Sequence, residues 1–345
     1  MARKKRSLAS ILGMYKFESS LKNCSLTAVP ESLRKDEDLQ ILDLSENLLE
    51  SLPDWLGDLG NLEELDLDQN RLSAMPQNIG RLARLTKLSL YNNRLEGLPN
   101  SFWQLTNLEF LNLSENRLAS LSDRLGHFTR LHTLDLGHNQ LSALPETIGN
   151  LSSLAHFLYL SNNQLDALPD SIVKLVKLAY LNATDNQLTS LPEEIGKMAG
   201  MKELRLYNNR LAALPESLGQ LAQLRELHLM NNLIIHLPDS IGNLANLRKM
   251  ILTGNRLAAL PTTLGSLASL TDLDLRNNQL ESLPESIANL ANLRYLDLRA
   301  NRLASLPESL ANLPALEKLD LRWNKWRSLP AWIGRLEQRG CVVYW

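Results

Sequence analysis

Three histidines, His132, His138 and His156, with Asp135 between the first two, carry the most chemistry that this sequence offers. Imidazole nitrogens and a carboxylate can share a divalent metal or pass a proton near neutral pH. The plainer reading is three ordinary solvated histidines. No anchored nucleophile or paired acid and base stands near them, and the sequence lacks Gly-x-x-x-x-Gly-Lys-Ser/Thr, Gly-x-Gly-x-x-Gly, Cys-x-x-Cys and His-Glu-x-x-His. The expectation is a protein that is not an enzyme and needs no cofactor or resident metal.

Thirty-six basic residues face 38 acidic ones for a net charge of -2, so no whole-chain field draws the protein to nucleic acid or an anionic membrane. The two cysteines, Cys24 and Cys341, lie near opposite ends of the sequence, which excludes a disulfide if the fold is an extended array. A reducing, cytoplasmic setting is expected. No stretch approaches the 18 or so apolar residues of a membrane span. The basic start Arg3-Lys4-Lys5-Arg6 precedes Leu8, Ile11, Leu12 and Tyr15, one apolar stripe at helical spacing. Residues 1–15 therefore read as a capping helix, with a targeting or secretion element as the sharper alternative.

Side chains so far apart can meet only if something periodic places them. Leu270 to Asn292 reads Leu-x-x-Leu-x-Leu-x-x-Asn-x-Leu-x-x-Leu-Pro-x-x-Ile-x-x-Leu-x-x, and most of the chain repeats it. Asparagines recur at Asn47, Asn70, Asn93, Asn116 and Asn139, then from Asn163 through Asn186 to Asn324, every step being 23 residues except Asn139 to Asn163. Alternation puts the leucines of Leu-x-x-Leu-x-Leu inward on a short strand, and stacked strands form one parallel sheet. The inward Asn, both donor and acceptor, satisfies backbone groups of the turn. Pro suits the first position of a helical turn, and Gly suits its end by tolerating positive φ. Short 3₁₀ or helical pieces on the convex side would bend the array into a horseshoe with the sheet on its concave face.

Two places break the pattern. The coil after Asn139 has one extra residue, within Leu151 to Leu158, and Ala183 replaces the innermost leucine of the next strand. A bulge filled by neighbouring side chains is expected there. Near the end, Trp326, Val342 and Tyr344 continue the inward phase with residues other than leucine, and residues 339–345 read as a capping strand.

The outward strand positions are not monotonous, which favours recognition over a spacer. Early coils show Asp43, Glu46, Glu64, Asp66 and Asp68. Central coils show Phe110, Phe157, Tyr159 and Tyr180, with Tyr91 and Tyr207 farther along the face, and consecutive coils should bring Phe157 within one strand spacing of Tyr180. Met230 and Ile251, with Leu233 and Ile235, form a second apolar patch. The last coils stack Arg276, Arg299 and Arg322 beside Asp274, Asp297 and Asp320, with Tyr295 and Trp323 adjacent. These charges either satisfy one another across strands or serve a partner.

The pattern Leu-Pro-x-x-Ile-Gly-x-Leu-x-x-Leu at Leu144 to Leu154 and Leu237 to Leu247 resembles the intracellular leucine-rich-repeat class, which includes Ras-binding scaffolds, plant Ras-group repeat proteins and bacterial proteins, some of them secreted effectors. The resemblance covers about residues 16 to 345 and implies an α/β leucine-rich-repeat solenoid, with repeats over 16–338 in about 14 coils. With the varied outward positions, the expectation is a monomeric interaction scaffold that takes a protein or peptide on the concave face. The alternative is a bacterial effector acting on a host protein. The repeats look bacterial in their uniformity.

Overall fold

Leucines alternating with polar residues over so short a run make strands of only three residues, too short to stand alone and stable only when stacked. The computed structural model describes residues 17–328 and 330–345, so the expected capping helix at 1–15 lies outside the described residues. Two compact units divide the chain, Met1–Gln164 and Leu165–Trp345. The first holds β1 (Glu18–Ser20), β2 (Ile41–Asp43), β3 (Glu64–Asp66), β4 (Lys87–Ser89), β5 (Phe110–Asn112), β6 (Thr133–Asp135) and β7 (Phe157–Tyr159). The second holds β8 (Tyr180–Asn182), β9 (Glu203–Arg205), β10 (Glu226–His228), β11 (Lys249–Ile251), β12 (Asp272–Asp274), β13 (Tyr295–Asp297), β14 (Lys318–Asp320) and β15 (Val342–Tyr344). All are parallel, and within each unit each strand pairs with the next in sequence, as Leu111 with Leu134 and Leu273 with Leu296. A 3₁₀ turn precedes most strands. This is the expected leucine-rich-repeat solenoid.

Columns of inward leucines build the core; Leu134, Leu158, Leu227 and Leu296 are all buried. In the first unit Phe102, Trp103 and Phe128 add an aromatic cluster on the return side, with Trp103 stacked on Phe128 at 5.7 Å between ring centroids. The ladder asparagines do what their chemistry requires. Asn139 Nδ2 donates to the Leu113, Leu136 and Gly137 carbonyls at 3.0 to 3.2 Å, and its Oδ1 accepts the Leu118 N–H at 3.0 Å. The chain reversal itself belongs to the residue before each Asn. That residue takes a left-handed φ near 50 to 60°, as in His138 (52°), Asn208 (54°) and Trp323 (61°), with Gly254 at 70°.

Two expectations about the return segment need correction. Proline is not the first residue of the turn but precedes it: Pro145 is extended at φ -68 and ψ 145, the 3₁₀ turn runs Glu146–Asn150, and the Pro145 carbonyl accepts the Ile148 N–H. The ring thus fixes the approach and its carbonyl opens the turn. Glycine is there for room rather than for positive φ, since only Gly254 and Gly340 among the described glycines have one. A Cβ on Gly219 would lie 2.2 Å from the Ser240 carbonyl oxygen of the next coil, so coils could not stack as closely with any side chain there. Gly219→Ala is expected to cost about 1 to 3 kcal/mol by overpacking. Gly97→Ala, whose Cβ meets nothing within 4 Å, should change little. Equal urea midpoints for the two variants would show that coil spacing is not set by these glycines.

Both irregular coils are resolved. Thr133 pairs with Phe157 and Leu134 with Leu158, so the extra residue lies between Leu154 and Leu158, and the chain bends at His156 as it does before the preceding strands at Glu109 and His132. Ala183 is fully buried, as its inward position requires. The last coil differs from expectation. It replaces the 3₁₀ turn with the helix α1, Ile333–Gln338, and Leu319 pairs with Val343 rather than with Val342. That is a step of 24, since 343 minus 319 is 24, and one added residue swaps the two faces of a strand. Val342 and Tyr344 consequently face solvent and are exposed, while Trp326 is half-buried with its Nε1 donating to the Leu321 carbonyl.

Candidate binding surface

On β7 the residues either side of buried Leu158 point outward together, and Phe157 and Tyr159 stack with ring centroids 5.7 Å apart and planes 15° from parallel. Phe157 is 42% exposed, which makes the pair an apolar platform in the first unit. His156 tilts against Phe157 at 6.4 Å. Phe110 shares the column of Phe157 but is separated from it by Thr133, and Lys87 Nζ sits 5.9 Å from its ring centroid. Tyr91 is half-buried beside two acidic groups; its N–H donates to Asp68, and the Glu115 charge raises its phenol above the ordinary range.

In the second unit Tyr180 carries the Arg205 guanidinium 5.6 Å from its ring centroid. Tyr207 and Met230 are half-buried in successive coils of one column, and Ile251 is half-buried on β11 beside His228. Leu233 is half-buried, and Ile235 is exposed beyond the strands.

The arginine and aspartate stripes satisfy one another. Arg276 bonds Asp274 and reaches Asp297 at 3.5 Å; Arg299 bonds Asp297 and reaches Asp320 at 3.4 Å; Arg322 bonds Asp320. Burial works to raise the Asp320 carboxyl, but hydrogen bonds from Arg322 and the Arg299 charge win and hold it below the usual range. Arg322 also lies 5.4 Å from the Trp323 ring centroid and 5.1 Å from that of Tyr344. Trp323, at 70% exposed, is held outward by its left-handed backbone and is open for contact.

The three histidines do not form one cluster. His132 and His156 lie side by side, 5.8 Å between centroids, where the chain runs into β6 and β7, and His132 Nδ1 is 3.2 Å from the Ser153 carbonyl. His138 sits beyond the other end of β6, exposed, 3.2 Å from Asn162 Nδ2. Asp135 turns instead to the Gly137 N–H. Among the described residues the donor set that could hold a cation is a different one, Glu203, Glu226 and His228, with donor atoms within 4.8 Å of one another. Burial, helped by Arg205 and Lys249, lowers the His228 imidazole from its ordinary value despite the Glu226 hydrogen bond, which leaves it neutral at pH 7. Arg205 already bonds Glu203 and partly fills the role that a cation would have. The signal for this group was available as a register: Glu226 opposite Glu203 and His228 opposite Arg205, each 23 residues apart.

Comparison with known proteins agrees with this architecture. The leucine-rich-repeat region pattern matches residues 122–233 and 169–252, and the leucine-rich-repeat pattern matches 20–72, 61–118, 245–303 and 268–326. No curated protein matches the sequence. Among solved structures, a leucine-rich-repeat protein of Leptospira interrogans is 36% identical with a TM-score of 0.85, over 93% of this chain and 82% of that one. The PEPR1–AtPEP1 structure is similar at 30% identity and a TM-score of 0.80, over 94% of this chain but only 46% of that one. The plant peptide hormone receptor RGFR1, in complex with RGF2, is similar at 29% identity and a TM-score of 0.64, over 89% and 59% of the two chains. With its repeats, strand register and asparagine ladder, the chain belongs to the leucine-rich-repeat family, whose fold typically serves as a protein–protein interaction module.

Proposed function

We propose that this protein is a non-enzymatic adaptor that binds a peptide or protein segment on the solvent face of its strands. The stacked Phe157–Tyr159 pair, with Phe157 exposed and Tyr159 half-buried, is the observation that carries this reading. Two rings already stacked offer a large apolar area with little further ordering to be done on binding, and a few such aromatics usually dominate an interface. The similar receptor structures are complexes with AtPEP1 and RGF2, although this chain spans only part of those receptors. The free thiols Cys24 and Cys341 favour a reducing, cytoplasmic location, and burial pushes the Cys341 thiol up to about 11, where it is unreactive.

Peptide phage display against the full chain, followed by titration of the selected peptides, tests the surface. Phe157→Ala and Tyr159→Ala should each weaken binding by about 2 kcal/mol with an unchanged melting curve. Loss confined to Met230→Ala and Ile251→Ala would move the contact to β10 and β11. No loss at either patch would place binding off the strand face.

A further inference from the structure

The second unit has a charged edge that the strand face does not explain. Each residue just before a strand donates its N–H to the carbonyl of the equivalent residue one coil earlier: Arg225 to Lys202, Arg248 to Arg225, Thr271 to Arg248 and Arg294 to Thr271, at 2.8 to 2.9 Å. The side chains of Lys202, Arg225 and Arg248 therefore stand in one exposed column, roughly a strand spacing apart. Among the described residues no carboxylate pairs with any of the three. Outside the column lie Gln223, Asn246, Ser269 and Asn292, all uncharged. Inside it the nearest acids bond other groups: Glu203 is paired with Arg205, Glu226 accepts from the His228 ring and Asp272 from the Thr271 hydroxyl.

The column leads into a cavity of about 570 Å³ whose lining includes Arg248, Ser269, Thr271, Arg294 and Arg339. Pro314, Ala315 and Leu316 also line it, as do Arg339 and Gly340, which follow α1 in sequence. Glu317 is the one carboxylate in the lining, and Arg294 holds it at 2.5 Å while Tyr295 hydrogen-bonds it. Three arginines thus line a space much larger than a single carboxylate; Arg294 is paired with Glu317 and one Arg339 nitrogen donates to the Ala311 carbonyl, while Arg248 has no carboxylate partner among the described residues.

The geometry points to a second docking site, separate from the aromatic platform, in which a short acidic peptide segment lies along Lys202, Arg225 and Arg248 and sets carboxylates into the cavity beside Arg294 and Arg339. Guanidinium groups take carboxylates in paired hydrogen bonds, and Arg clusters are a recurrent way of reading acidic motifs. A peptide is favoured over nucleic acid or a lipid surface because the basic charge is local: the chain as a whole is at -2, too little to hold a long polyanion.

A dye-labelled Glu-rich peptide of about ten residues, compared with its Gln counterpart by fluorescence anisotropy, tests the site. The Glu peptide should bind the full chain, weaken as salt is raised, and lose about tenfold or more in affinity with the double variant Arg225→Glu, Arg248→Glu. The milder Arg248→Gln should lose less, so a folding defect in the double variant would not hide the effect. Arg117→Glu, a comparable reversal in the first unit, and Tyr159→Ala should leave the affinity unchanged. Equal binding of the Gln peptide, no loss in the Arg225 and Arg248 variants, or an equal loss with Arg117→Glu would overturn the assignment. So would binding of anionic vesicles or single-stranded RNA with the Glu peptide silent.

Discussion

Deletion of residues 339–345 should make the protein aggregate or melt at its C-terminal end, with a loss of about 3 to 5 kcal/mol in the second unit. Among the described residues β15 is the only partner of β14 on that side: the Leu321 N–H donates to the Tyr344 carbonyl and the Val342 N–H to the Glu317 carbonyl. Removing it leaves a row of strand groups unpaired and uncovers Leu319 and Leu336, both fully buried, as well as the site that Cys341 fills. Each large apolar side chain brought to solvent costs about 1.5 to 3 kcal/mol, and two of them set the scale. Size-exclusion chromatography with urea denaturation decides the matter. A truncated chain that stays monodisperse with an unshifted midpoint would show that β15 covers nothing of consequence.

Asn139→Ala is the second large effect, expected at about 3 kcal/mol even though the side chain is buried and takes no part in the aromatic platform. One amide serves three carbonyls and one N–H, and alanine can replace none of those bonds. Asn139 is 8% exposed, so water reaches these groups poorly. Exposed Gln140→Ala, one residue on, is the control and should move the midpoint little. Indistinguishable curves for the two variants would mean that the ladder is not what closes the turns.

The fold was legible because its cause is local and repeated: the 23-residue period fixes strand, turn and ladder at once, and the Asn139 bonds follow from the residue type. What escaped were facts that only neighbouring coils create. Gly219 reads as a flexible turn residue until the Ser240 carbonyl is seen 2.2 Å from where its Cβ would be. Val342 and Tyr344 read as inward until α1 adds a residue and reverses the faces. His132 and His138 are near in sequence but belong to opposite ends of β6, so counting residues grouped what the strand separates. For the surface, alternation correctly sent Phe157 and Tyr159 outward, whereas their stacking is set by side-chain rotamers and could not be read from spacing. The basic column is visible in the sequence once the repeats are aligned, but only the structure shows that Glu203, Glu226 and Asp272 bond other groups rather than its side chains.

The asparagine ladder also has a direction. Asn116 accepts the Leu95 N–H and donates to the Leu90 carbonyl of the coil before it, and Asn232 does the same for Leu211 and Leu206. Each turn is therefore finished by a side chain that lies about one coil later in the chain. During synthesis a coil leaving the ribosome must wait with open carbonyls until its successor emerges, so structure should advance vectorially and always lag the growing end by one repeat. Arrest-peptide force profiles on nascent chains of increasing length would show this as steps spaced by one repeat, and a single late step would show that the array instead collapses as a whole.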